Sequence, residues 1–259
     1  MVYFRNSIVA TLMGLSALCF SAAQAGPVTW GLASNINGDN DVSTNGSLVG
    51  AYNFGTAADT TVNGVLFKGL LIGAPPIASV IIDGVHTLAA DTLVNFSTGS
   101  GVGTFFLALT SGYRSLLGSA AGAEFGDRMA QLTLGDLTIG QVYEFQAWFN
   151  VSSTVGRFAY GLWIGDGVSS VDLSPSTQRA VNNDYIEGGT GQFVIGTFVA
   201  DASTKLLNYQ RGEVGGGING FQLRALAPLN VPEPGTAALV CLAAAGLAWS
   251  RRRSSQRAT

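Results

Sequence analysis

Val142-Tyr143-Glu144-Phe145-Gln146-Ala147-Trp148-Phe149-Asn150-Val151 alternates side chains with a period of two, the spacing that an extended strand sorts onto two faces. Tyr143, Phe145, Ala147, Phe149 and Val151 fall on one side, and Glu144, Gln146 and Trp148 on the other. A helix would scatter the aromatic set around its axis, so the segment is predicted as a strand. Gly135-Asp136 and Ile139-Gly140 ahead of it suit a turn leading into that strand. Working outward, Phe158–Ile164 alternates in the same way and stops at Gly165-Asp166-Gly167, while Gln192–Val199 and Gly220–Leu226 are two further strands. Towards the N-terminus the expected strands are Val28–Ala33, Ser47–Phe54, Gly64–Leu71, Ala78–Ile82, Thr92–Phe96 and Met129–Leu134. Tyr113–Ala121 is the best helical candidate, with Leu116, Leu117 and Ala120 on one face, and Asn182–Gly191 reads as a loop. Nine to twelve strands in about 205 residues predict an all-β fold, two stacked antiparallel sheets forming a jelly-roll-like β-sandwich.

Composition agrees with this fold class. The chain has 35 glycines among its 259 residues, and small polar residues separate short apolar runs. Both cysteines, Cys19 and Cys241, lie near the ends, so residues 26–230 hold no disulfide, and their stability is expected from packing or from packing with a bound ion. Those residues carry eight Lys/Arg and fifteen Asp/Glu, close to −7, although the whole chain is only −3. An acidic surface excludes nucleic acid as the expected partner.

Chemistry-bearing residues are sparse. His86 is the single histidine, placed after a turn, and no nucleophile-elbow pattern lies near any serine; it is read as a hydrogen-bonded turn or strand residue. Glu124 and Asp127 are close in sequence and Glu144 lies on a strand face, but the E-x-D-x-x-E strand motif of lectin-like glycosidases is absent, so these carboxylates are read as solvated surface groups and no enzymatic activity is expected. Asn37, Asp39 and Asp41 alternate around Gly38 like the start of a calcium loop, without the glutamate that would complete an EF-hand. The competing reading is plain turn chemistry, which the same residues favour. For a glycan, the candidate ligand face is Glu144, Gln146 and Trp148, an aromatic ring beside groups able to bond sugar hydroxyls; Gln222 with Arg224 could share another face, and Trp163 and Trp30 are other possible platforms. Against this stands the tendency of tryptophan to be buried.

The two ends are address segments. Arg5, the apolar stretch Ile8–Phe20, and Ala23-Gln24-Ala25 before Gly26 form a secretory signal peptide, residues 1–25, with its helix and its cleavage site at Ala23, Ala25 and Gly26. Residues 231–259 hold Val231-Pro232-Glu233-Pro234, an uncharged run from Thr236 to Trp249, and Arg251-Arg252-Arg253. The prolines keep an extended, accessible peptide, and the arginines set the end of an apolar span on the cytoplasmic side. Fourteen residues reach about 21 Å as a helix, short of the roughly 30 Å hydrocarbon core. A short transmembrane helix at about residues 235–250 is therefore a marginal anchor, suited to transient residence in the inner membrane.

This tail resembles the PEP-CTERM sorting signal of Gram-negative bacteria. The resemblance implies recognition by a membrane-embedded exosortase, through Val231, Pro232, Glu233, Pro234 and the terminal arginines Arg251, Arg252 and Arg253, cleavage near the PEP motif, and transfer to the cell surface or extracellular matrix. Residues 131–226, with LTLGDLTIGQVYEFQAWF, GQFVIGTFVADAST and INGFQLRAL, resemble the galactose-binding-like or lectin-like jelly-roll ectodomains of many such proteins. The leading expectation is a non-enzymatic surface or matrix protein that binds exopolysaccharide; the alternatives are a secreted carbohydrate-active enzyme on the same scaffold and a purely structural coat component.

Overall fold

A computed structural model describes residues 27–98, 107–124, 129–150, 162–173, 180–181, 184–185, 191–211 and 217–227. The signal segment and the tail from residue 228 lie outside them, as does the expected start of the strand at Phe158. In chain order the elements are β1 (Thr29–Trp30), β2 (Ser34–Asn35), a 3₁₀ turn (Asp39–Asp41), β3 (Ser47–Phe54), β4 (Thr60–Val62), β5 (Val65–Leu70), β6 (Ile77–Ile81) and β7 (Thr87–Ser97). There follow helix α1 (Ser111–Leu117), β8 (Ser119–Ala123), β9 (Met129–Leu134), β10 (Val142–Phe149), β11 (Leu162–Gly165) and β12 (Ser170–Leu173). The series ends with β13 (Ala180–Val181), β14 (Asp184–Tyr185), β15 (Gln192–Val199), β16 (Lys205–Arg211) and β17 (Gly220–Ala225).

The fold is an all-β sandwich. One sheet runs β1-β15-β10-β17-β3-β5-β4 with β2 also on β15, and the other runs β12-β11-β16-β9-β7-β6 with β8 also on β7. The decisive segment becomes β10, hydrogen-bonded on both sides, to β15 and β17. Its apolar face behaves as the alternation predicts: Tyr143, Phe145, Ala147 and Phe149 are buried in the core between the sheets. Phe221 of β17 carries the aromatic packing onward, 5.7 Å from Phe145 and 5.2 Å from Tyr52 of β3 between ring centres. Leu132 of β9, Ile164 of β11 and Leu207 of β16 line the same core from the opposite sheet. Consecutive strands β9 and β10 lie in different sheets, as do β15 and β16. Since β10 pairs with β15 and β9 with β16, two arches wrap the core together.

Three expectations need correction. The first sheet is mixed, because β3 and β5 run parallel. Gly69 permits this: a Cβ there would sit 2.5 Å from the Ala57 carbonyl carbon, so only glycine lets the connecting loop cross over β5. The helix ends at Leu117, and Ser119–Ala123 continues as β8, since the small side chains of that stretch pack flat against β7. Asp184–Tyr185, expected within a loop, pairs with Ala180–Val181.

Candidate functional site

The face of β10 that bears Glu144, Gln146 and Trp148 is not exposed. Trp148 and Gln146 are fully buried and Glu144 nearly so, which removes this face as a glycan platform. A second apolar cluster lies on the outer side of the sheet, where Ile36, Val42, Val62, Phe67 and Leu116 surround Trp148. Helix α1 closes it, with Thr110 capping the helix by accepting from the Tyr113 N–H. Gly112 brings the helix against β4, where a Cβ would fall 2.1 Å from the Thr61 carbonyl oxygen.

The polar members of that face hold the chain's own 41–46 segment. Gln146 donates from Nε2 to the Asp41 carbonyl at 2.6 Å and accepts at Oε1 from the Ser43 N–H at 2.9 Å. Gln222, directly opposite Gln146 on β17, donates to the same Oε1 at 2.7 Å and to the Ser43 carbonyl at 3.0 Å. Arg224 donates to the carbonyls of Asn45 and Gly46, and Asn45 Nδ2 donates to Glu144 Oε2 at 3.0 Å. Burial lowers the Arg224 pKa, and the facing Glu144 opposes that. Glu144 Oε1 is buried without a hydrogen bond among the described residues.

Asn37, Asp39 and Asp41 form a turn, the second of the two readings their sequence offers. The Asp41 carboxylate accepts from the backbone N–H groups of Asn37 at 2.6 Å and Gly38 at 3.0 Å, while Asp39 accepts from the Thr110 hydroxyl at 2.7 Å. The described residues hold no group of three or more His, Cys, Asp and Glu side chains placed for a metal. A relay ties the turn to the core: Trp148 Nε1 donates to the Tyr113 oxygen at 3.0 Å, and the Tyr113 hydroxyl donates to Asp41 at 3.3 Å. Burial and the Asp41 charge together push the Tyr113 phenol pKa up.

His86 is a structural residue here. It is buried, and its Nδ1 accepts from the Gly135 N–H at 2.9 Å, which requires that nitrogen to be unprotonated. Burial lowers its pKa against the opposing carboxylates of Asp83 and Asp136. A second buried polar cluster sits at the end of α1, where Asn150 and Asn219 both donate to the Leu117 carbonyl.

The outer face of the second sheet keeps an open recess of about 310 Å³, lined by Trp163, Gly165, Ser169, Ser170 and Asp172. Leu162 and Ile164 turn into the core, so the alternation of β11 sends Trp163 outward. Trp163 is half-buried and lies opposite Asp172 on one side and Gln210 on the other. The sequence named Trp163; Ser170, Asp172 and Gln210 were missed, although the Ser170-Val171-Asp172-Leu173 alternation after a Gly-Asp-Gly turn carried the signal. Trp30, the other platform named, leans on the core and donates from Nε1 to the Ser169 carbonyl at 3.4 Å. The hairpin that bounds the recess is pinned by Asp166, whose Oδ1 accepts from the Val168 and Ser169 N–H groups and whose Oδ2 accepts from the Val28 N–H and from Lys205. A larger open groove of about 650 Å³ runs beside α1, lined by Thr56, Asn95, Ser111, Arg114, Ser115 and Ser119 among others. Asn95 bonds the Ile72 backbone at both polar ends of its amide.

Val231, Pro232, Glu233, Pro234 and Arg251–Arg253 lie outside the described residues, as do Ala23, Ala25 and Gly26. No helix among the described residues is long and apolar enough to cross a membrane. No curated protein and no solved structure matches the chain. A family model does match the tail, at residues 230–253: the chain carries the PEP-CTERM protein-sorting motif, which implies export, passage through the membrane and processing by an exosortase.

Proposed function

We propose that this chain is a non-enzymatic protein of the cell surface or extracellular matrix of a Gram-negative bacterium, released from its inner-membrane station by exosortase cleavage and binding exopolysaccharide through the sandwich. The observation that carries the reading is the sorting motif at residues 230–253, downstream of a disulfide-free β-sandwich. The non-enzymatic part is supported by where the ionisable groups go. His86, Asp166 and Asp41 each serve a backbone N–H, and those bonds hold turns together.

Intact mass spectrometry of the protein recovered from the surface of an exosortase-bearing host tests the sorting. Mature protein is expected to lack Arg251–Arg253, and Glu233→Ala is expected to leave uncleaved precursor in the inner membrane. Surface-delivered protein that retains the full tail would overturn the proposal.

A further inference from the structure

We infer that the Trp163 recess binds one neutral, hydroxyl-rich sugar unit of a polysaccharide chain; the inference rests on the glycan-binding reading above and gives it a site. Three features of the recess carry it. The first is an aromatic surface at the sheet exterior: Trp163 is half-buried on the outer face of β11, and its ring and indole N–H make no hydrogen bond or ring contact among the described residues. A tryptophan left so is amphipathic, an apolar body for the C–H face of a pyranose with a single donor at its rim.

The second is the company it keeps. Strand register sets Asp172 directly beside Trp163 on β12, an exposed carboxylate with no hydrogen bond or ion pair among the described residues. Ser170 lies two residues away on the same strand and lines the same recess. An acceptor-only carboxylate, a donor-only indole and a hydroxyl that does both match adjacent sugar hydroxyls, each of which donates and accepts. The volume, about 310 Å³, is at the lower end of ligand pockets, the scale of one sugar ring.

The third is charge and rigidity. A carboxylate at the rim, on a domain that carries a net excess of acidic residues, repels uronates and sulfated sugars, so the ligand is neutral. The recess is held in shape before any ligand arrives. Asp166 locks the Gly165–Ser170 hairpin with two backbone N–H bonds and fastens it to Val28 and Lys205, so little ordering opposes binding.

The test is affinity electrophoresis of the full chain in a non-glycosidic detergent, through native gels cast with dextran, galactomannan or hydroxyethyl cellulose, and with polygalacturonate as the acidic arm. The expected result is retardation in at least one neutral gel and none in polygalacturonate. Trp163→Ala and Asp172→Ala are each expected to weaken that binding about tenfold or more, as truncation of a binding hot spot does. Asp172 is exposed, so its variant keeps the fold even if Trp163→Ala melts early. If both variants are retarded like the wild type in a neutral gel, this site is wrong while the glycan-binding reading stands. Retardation in polygalacturonate alone also overturns the site, and migration unaffected by every gel overturns both.

Discussion

Lys205 Nζ donates to Asp166 Oδ2 at 2.8 Å, joining β16 to the hairpin between β11 and β12 through a carboxylate that is itself fully buried. Desolvation would raise the Asp166 pKa, but the Lys205 bond and three backbone N–H donors hold it well below the usual carboxylate range.

Removing that carboxylate leaves an ammonium and three N–H groups without an acceptor. Asp166→Ala is therefore expected to destabilise the domain by about 3 kcal/mol, and Lys205→Met by less, because the backbone bonds to Asp166 survive it. Urea melts of the two variants check the order. Equal losses would show that the ion pair alone matters.

The pH dependence near neutrality is assigned to His86, the chain's only histidine. Its folded pKa is depressed by burial, so the unfolded chain binds the proton more tightly. The His86 contribution to stability is then complete above the ordinary value of about 6.5 and declines as pH falls towards the folded pKa. Asp83 and Asp166, also depressed, begin to lose their contributions only below the ordinary carboxylate range. Thermal melts from pH 7.5 to 5.0 should show falling stability in the wild type and a flatter profile in His86→Gln. Parallel profiles would remove His86 as the cause.

Asn63 and Gly64 both have positive φ, 49° and 76°, and close the β4–β5 hairpin as a two-residue turn. Nothing lies within 4 Å of a Cβ built on Gly64, so the penalty of Gly64→Ala is one of backbone conformation alone. It is expected to be about 1–2 kcal/mol, a drop of roughly 2–6 °C in Tm, with Asn63→Gly close to neutral. An unchanged Tm in Gly64→Ala would contradict the turn.

Asp41 holds its turn by backbone bonds, so Asp41→Ala is expected to lower the melting temperature by the same amount in millimolar calcium and in chelator. The loss should be about 1–3 kcal/mol, because two N–H groups lose their acceptor. A wild type that gains stability with calcium while Asp41→Ala does not would restore the metal reading.

The core was legible where its strands alternate: Met129–Leu134 and Gln192–Val199 bury every second side chain and stand where the pattern puts them. What covers a sheet is harder to read. Glu144, Gln146 and Trp148 share a face in the sequence, but alternation does not say whether the second face meets solvent or the chain's own 36–46 segment, which is brought there from about a hundred residues away. The β4–β5 hairpin carries a plain turn signal in Asn63-Gly64, whereas Ser119–Ala123 carries none, being held by its place beside β7.

β17 ends at Ala225, five residues before the sorting motif begins, and it is flanked by β10 and β3. Any pull on the C-terminus is thus delivered to an interior strand with partners on both sides, further fastened by the bonds of Arg224 to the carbonyls of Asn45 and Gly46. To peel away it must give up two ladders at once, where an edge strand would give up one. A load applied at the C-terminal end of the domain is, by this placement, shared between two ladders.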